Sequence, residues 1–385
     1  MRDRPTESTR LLHTDRAPNG LLKVVGPPIQ KGSTVLAPCA EALYDGTQAT
    51  YGRAGLASHE ALIAGLEELE HASCVRLFPS GLAAMTGSLL SVLRAGDEVL
   101  VTDAIYKPTR RFCDRVLQRY GVAVRYYPAR CDPDSLMRLC SPTTRLIVLE
   151  SPGSLSFEMQ DVPAIAAAAR ARGMLTLMDN TWAAGVYFKP LDHGVDLSVQ
   201  ALTKYVGGHS DVFMGSAAAR TPEMSQALDE AILDFGWAVS PEDAYMMLRG
   251  LRTLPTRLDR HQHSALAVAR WLASHTRVRD VLHPALQSSI DHALWRRDFT
   301  GASGLFAFVL DTEDQAVVHR FLNALRLFGL GFSWGGFESL ALNCDPQFTV
   351  RLDPPAHGGA MIRLSVGLED PGDLIDDLQR ALETL

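Results

Sequence analysis

The sequence predicts an α/β fold, with a mostly parallel β-sheet flanked by helices and a smaller α+β unit behind it. Three observations carry this. From residue 58 onward, apolar runs of strand length alternate with helical segments, the pattern of βαβ units. The first 54 residues lack that alternation. After about Gly250 the texture shifts again, to long helices between well-separated apolar runs.

Each element has a local cause. Leu62, Leu66 and Leu69 recur at helical spacing, so an amphipathic helix is expected over 58–71. Gly81–Leu93 reads as a second helix, and Gly96-Asp97 as a turn before a short buried strand at Glu98–Thr102. Pro108 is expected at the first position of another helix, where its missing N–H costs nothing. Further strand-length runs lie at Val122–Tyr127, Arg145–Leu149, Met174–Met178, Leu197–Ala201 and Phe213–Ala219, and Ala-rich Ala164–Arg172 is a helix among them. Beyond Gly250, Leu258–His275, Gln315–Leu325 and Pro371–Leu385 read as helices, and Leu305–Leu310 and Met361–Val366 as strands. Pro5, Pro18, Pro27, Pro28 and Pro38 interrupt every short apolar run before residue 55. The expected division is an arm (1–54) packing within the chain or across a subunit boundary, a larger α/β domain (55–250) and a C-terminal α+β domain (251–385).

Composition narrows the function. A chain of 385 residues, 46% hydrophobic and 21% charged, can bury a large core without disulfides. A net charge of -7 gives no basic face for nucleic acid, and Thr109-Arg110-Arg111 is too short to make one. The six cysteines form no C-x-x-C pair, which favours a reduced, cytoplasmic setting. His261-Gln262-His263 reads as helix surface rather than a metal site. Met1–Gly20 lacks the apolar core of a signal peptide, and no apolar run reaches the ~18 residues needed to span a bilayer. No G-x-G-x-x-G follows a strand, which argues against a nicotinamide dehydrogenase.

In mostly parallel sheets the ligand sits beyond the carboxyl ends of the strands, so chemistry is sought there. Asp179 ends one apolar run and suits a cationic ring nitrogen, although an aspartate there also caps turns. Lys204 follows another run and precedes Gly207-Gly208; enclosed, it would lose basicity and become nucleophilic, whereas a snorkelling lysine is the alternative. Ser80-Gly81-Leu82 opens a helix whose free N–H groups favour a phosphate. Tyr106 could stack on an aromatic ring or simply fill core. Tyr51 and Arg53, in the arm, suit a phosphate oxygen or a solvated surface pair. Arg363, a charge inside an apolar strand, requires a carboxylate from the protein or from a substrate.

In this order along the chain, Gly81 with its helix, Tyr106, Asp179 and Thr203-Lys204-Tyr205 resemble the fold-type-I pyridoxal phosphate enzymes, and more narrowly the Cys/Met metabolism family. The most specific stretches are Glu150-Ser151-Pro152-Gly153-Ser154, Met178 to Gly185, Lys204 to Asp211 and Ser333 to Ser339. The resemblance runs from about Tyr51 to the C-terminus. It implies a mostly parallel, seven-stranded-type sheet and pyridoxal 5'-phosphate carried on Lys204. Asp179 would hold the pyridine nitrogen and Tyr106 would cover the ring. Gly81, Leu82 and Thr203 would bind the phosphate, with Tyr51 and Arg53 reaching it from the neighbouring subunit. Arg363 would clamp the substrate carboxylate beside Ser333 and Trp334. It further implies a homotetramer and β-cleavage of an amino-acid thioether, L,L-cystathionine, to homocysteine, pyruvate and ammonia.

γ-Acting members are the rivals. They show Leu or Val at the position of Trp334, and Asn-Pro where Gly153-Ser154 follows Glu-Ser-Pro here. Cleavage of other cysteine S-conjugates also stays open. A cofactor-binding regulatory protein is disfavoured by the joint presence of Lys204, Asp179 and Arg363. Two departures stand out: Ala201 where many relatives have Ser, and Phe332 where β-acting members often have Tyr.

Overall fold

The computed structural model describes residues 6–12, 24–44, 46 and 49–385. Most of Met1–Gly20, the segment read above for a signal peptide, lies outside the described residues, as does part of the expected arm.

Seven strands form the larger sheet: β1 (Cys74–Phe78), β2 (Glu98–Thr102), β3 (Ala123–Tyr127), β4 (Thr144–Glu150), β5 (Leu175–Asp179), β6 (Leu197–Gln200) and β7 (Gly215–Ala219). Their order is β1-β7-β6-β5-β4-β2-β3. Neighbours from β3 to β6 pair parallel, and β7 runs against both β6 and β1. Alternate residues point to opposite faces. Ile147 and Leu149 enter one apolar cluster while Leu146 and Val148 enter another, so helices cover both faces and the strands read as apolar runs. β1 escaped the sequence reading because Arg76 interrupts it; its guanidinium pairs with Asp229 at the sheet edge.

The second sheet has β8 (Val278–Leu282), β9 (Leu305–Leu310), β10 (Gly329–Leu330), β11 (Leu340–Asn343) and β12 (Met361–Ser365), ordered β10-β11-β12-β9-β8. Phe306, Phe308, Ile362 and Leu364 face its own core with the helices Gln315–Ala324 and Pro371–Leu382. β8, β10 and β11 were not legible, being short or mixed in character.

Three local expectations need correction. The helix at Pro108 begins at Lys107, one residue earlier, with Pro108 still in its first turn. The long helix runs Leu254–Ala273, because Pro255 starts it ahead of the apolar periodicity. His261 is not at the surface: it is fully buried, with Nδ1 on the Val366 carbonyl, while His263 is exposed. Burial holds its imidazole down at about 4, so it is neutral.

The described part of the arm is less independent than its prolines imply. The helix Glu7–Leu11 buries Leu11 in the main core, and Glu7 pairs with Lys189 at 2.6 Å. Further along, Thr34 forms a single bridge with Tyr51.

Candidate active site

Glu150 and Asp179 end neighbouring parallel strands in register, and the turn after β6 brings Lys204 to the same sheet edge. A cavity of about 340 Å³ opens there, lined by Gly81, Tyr106, Asp179, Lys204, Trp334 and Arg363 among others. It merges outward with a space of about 600 Å³ that Tyr106, Lys204, Phe332, Trp334 and Arg363 also line.

Lys204 is held by its turn. Its N–H donates to Ala201 O at 3.0 Å, and Gly208, at φ +70°, turns back so that its N–H donates to Lys204 O at 2.7 Å. The Lys204 Nζ donates to Ser333 Oγ at 2.8 Å and stands 5.3 Å from the Trp334 ring centroid. Burial, reinforced by the Arg363 cation and opposed by Asp179, brings the Lys204 amine down to about 8.

Asp179 Oδ1 accepts from the Thr181 N–H at 3.0 Å and from Thr181 Oγ1 at 2.6 Å; Oδ2 takes no hydrogen bond among the described residues. The Thr181 hydroxyl in turn accepts from Ala201 N at 2.9 Å, which ties the carboxylate to the start of the lysine turn. Burial raises the Asp179 carboxyl above the ordinary carboxylate range, and a cationic partner would lower it again.

At the start of the helix Gly81–Val92, Ser80 Oγ accepts from Ala83 N at 3.0 Å and Ser80 O accepts from Ala84 N at 3.0 Å. The Gly81 and Leu82 amides have no acceptor among the described residues and border the cavity. A Cβ on Gly81 would collide with the Ala201 side chain and come within 2.8 Å of its Cα. The close approach of the two backbones therefore requires glycine at 81. Thr203 lines the cavity, but its hydroxyl is engaged: it donates to Met214 O at 3.1 Å and accepts from Met214 N at 3.0 Å.

Arg363 is buried in β12. Its Nη2 donates to Phe332 O at 2.8 Å and Ser333 O at 2.9 Å, while Nε has no partner among the described residues. No carboxylate pairs with it among the described residues, so of the two partners expected from the sequence the protein acid is not found. Burial lowers its basicity.

Tyr51 and Arg53 stand apart. Both are exposed, with the Arg53 guanidinium 5.2 Å from the Tyr51 ring, and neither lines the cavity of its own chain.

Three site-side residues were given no individual role by the sequence, although Glu150 and Thr181 lie in its most specific stretches. Glu150 accepts from the Tyr106 N–H at 2.8 Å, and burial with Asp179 nearby raises it well above the ordinary range. Thr181 was visible as Asp-x-Thr after a strand, the signature of a side chain bonding two residues on. Arg257 had no signal: from the long helix it donates to Tyr205 O at 2.6 Å, Val206 O at 3.1 Å and Gly250 O at 2.7 Å, bracing the lysine turn.

A lysine of depressed basicity, an enclosed carboxylate with a free oxygen and free helix-start amides around one cavity fit the amine-reactive aldehyde, ring nitrogen and phosphate of pyridoxal phosphate. With the two-sheet architecture, they define a fold-type-I pyridoxal phosphate enzyme. The chain belongs to the family described as Cys/Met metabolism PLP-dependent enzyme, whose model matches residues 8–383. It is 47% identical over 378 residues to a putative cystathionine beta-lyase of Rhizobium johnstonii, covering 97% of this chain and 95% of that protein. It is 41% identical to cystathionine beta-lyase MetC of Escherichia coli, covering 96% of each. A crystal structure of metB from Corynebacterium glutamicum superposes with a TM-score of 0.92 at 27% identity, covering 98% of both chains.

Proposed function

We propose that the protein is a carbon–sulfur β-lyase that cleaves amino-acid thioethers, with L,L-cystathionine giving homocysteine, pyruvate and ammonia. The observation that carries this is a buried Arg363 that meets no carboxylate among the described residues, facing the same cavity as the Lys204 amine. A site that holds a guanidinium for an α-carboxylate beside an amine for the adjacent Cα proton is built for an amino acid.

Bound pyridoxal phosphate supplies an electron sink for charge developing at the substrate Cα. Lys204 would hold the group, and its amine would serve as the base for the substrate Cα proton; a basicity near 8 keeps both protonation states within reach at neutral pH. Asp179, fixed by Thr181, offers Oδ2 to the protonated ring nitrogen. Gly81 and Leu82 offer amides to the phosphate; Thr203 contributes by fixing the turn, since its hydroxyl proton is directed at Met214. Tyr106, in the cavity wall, would pack on the ring. Arg363 orients the carboxylate, and Ser333 and Trp334 bound the substrate beside Lys204.

Cleavage at Cβ is favoured over Cγ by Trp334 and by Gly153-Ser154. The indole restricts the distal chain and leaves less room for the second proton transfer that γ-chemistry needs. Tyr51 and Arg53 are read as serving the neighbouring subunit's phosphate within a homotetramer. Their exposure and their absence from the lining of their own chain's cavity support this. Boundaries near 54 and 250 remain our division of the chain. A cytoplasmic setting is read from the six free thiols. Among the described residues no helix is long and apolar enough to cross a membrane.

Incubation with L,L-cystathionine tests the reading: pyruvate and homocysteine are expected. 2-Oxobutyrate and cysteine as main products would replace it with γ-cleavage.

A further inference from the structure

The outer part of the cavity has a charge that the reaction centre does not require. Beyond Trp334 and Phe332 its wall is the helical segment 107–117, which presents Lys107, Arg110, Arg111 and Arg115. Arg110 is spent: it pairs with buried Asp103 and stacks 3.7 Å from the Tyr126 ring centroid. Lys107, Arg111 and Arg115, spaced four apart, are exposed and have no carboxylate or hydrogen-bond partner among the described residues. The carboxylate lining this part is Asp114, which already accepts from Tyr126 Oη at 2.7 Å. Three unpaired cations against one engaged carboxylate make this wall positive on a chain whose net charge is -7. Such a local reversal of sign concentrates an oppositely charged ligand group at a cleft.

We infer that Lys107, Arg111 and Arg115 form a distal subsite that selects thioether substrates whose leaving arm ends in a carboxylate. The inference rests on the β-cleavage reading and names its substrate class. Arg363 is committed to the α-carboxylate at the inner end, so a second carboxylate on the departing thiol finds its partners on the outer wall. A distal ammonium would meet only Asp114 there, which already binds Tyr126 and is outnumbered by the three cations. In L,L-cystathionine the distal carboxylate is therefore the handle, and its ammonium is dispensable.

The test compares S-(2-carboxyethyl)-L-cysteine, S-propyl-L-cysteine and S-(2-aminoethyl)-L-cysteine on the holoenzyme. Pyruvate release gives kcat/KM, and a titration of the cofactor absorbance gives Kd. The carboxyethyl compound should be preferred over the propyl by about tenfold, the scale of two or three half-exposed charge contacts. The aminoethyl compound should be poorest. The preference should shrink as salt rises, because these side chains are exposed. In the triple variant Lys107→Gln, Arg111→Gln, Arg115→Gln the ratio should collapse to within about twofold. In Arg111→Glu the order of carboxyethyl and aminoethyl compounds should close or invert. The three substitutions are at exposed positions, so an unchanged cofactor spectrum and melting temperature accompany them.

Equal kcat/KM and Kd for the anionic and neutral compounds, or a preference that survives the triple variant, would overturn the inference and leave β-cleavage standing. Absence of pyruvate from all three compounds and from L,L-cystathionine would sink the β-cleavage reading instead; the Kd values would still decide the subsite.

Discussion

Two segments proposed to serve one cofactor are built in opposite ways. The turn 201–208 lies against the core. Its backbone is bonded to itself, Thr181 ties its first residue to Asp179, and Arg257 braces Tyr205 and Val206. The Tyr51–Arg53 segment is exposed, attached through Thr34 and through the Gly52 N–H on Ser33 O at 2.7 Å. The contrast follows from what each is asked to supply. An amine near 8 instead of 10.5 needs desolvation, and only enclosure by the chain's own core provides it. A phosphate anchor needs a full charge at the end of a long side chain, which can be delivered from outside.

The strongest way to break this contrast is at the enclosed end. Lys204→Ala should leave cofactor binding measurable but lower turnover by roughly 10³-fold or more, since both the covalent anchor and the base are lost. Borohydride treatment of the yellow wild-type protein should label one peptide, the one containing Lys204. A label on another lysine would move the site.

Arg363→Ala comes next. Loss of a buried charged contact should cost on the order of 3 kcal/mol in kcat/KM, about 150-fold, with the cofactor spectrum unchanged. Arg363→Lys should recover little, because an ammonium cannot grip both carboxylate oxygens. A fall of less than about tenfold would remove Arg363 from substrate binding.

The exposed end is tested by mixing. Arg53→Ala chains combined with Lys204→Ala chains should regain activity, up to about a quarter of wild type. Half of randomly mixed dimers are hybrids, and one of the two sites in each is intact. No recovery in a verified hybrid would place Arg53 outside the shared site.

The smallest effect concerns proton affinity. Burial and Arg363 both disfavour the Lys204 cation, so the neutral, nucleophilic amine gains population as pH rises through about 8. Cofactor uptake by the apoenzyme should accelerate with that midpoint, followed by absorbance. Arg363→Ala removes one lowering influence, so the midpoint should move upward. A wild-type midpoint at about 10 would mean that Lys204 is as hydrated as a surface lysine.

The inner site was legible because strand ends in a parallel sheet converge. Asp179 and Lys204 each followed an apolar run, and Gly81 opened a helix, so their chemistry could be read from position. Arg363 announced itself as a charge in an apolar strand, but its bonds to the Phe332 and Ser333 carbonyls could not be read. His261 misled because its neighbours in sequence are polar, whereas its side chain faces inward from a helix packed under Val366. Arg257 gave no signal, and the outer wall showed only as the basic run Thr109-Arg110-Arg111, too short to mean anything by itself. A helical arginine looks the same in sequence whether it meets water, a carbonyl or a cavity.

By itself the sequence determined the layer architecture, the larger sheet's central strands and the identity of the groups able to do chemistry. Those follow from local periodicity and from which side chains can be nucleophile, acid or clamp. Tertiary structure decided what each group's surroundings make of it. It enclosed Lys204 enough to depress its basicity, held Asp179 through Thr181 and, among the described residues, gave Arg363 no carboxylate. It also left Tyr51 and Arg53 outside their own cavity and turned Lys107, Arg111 and Arg115 toward it. Solvation and proximity depend on contacts between segments far apart in the chain, and no local pattern encodes them.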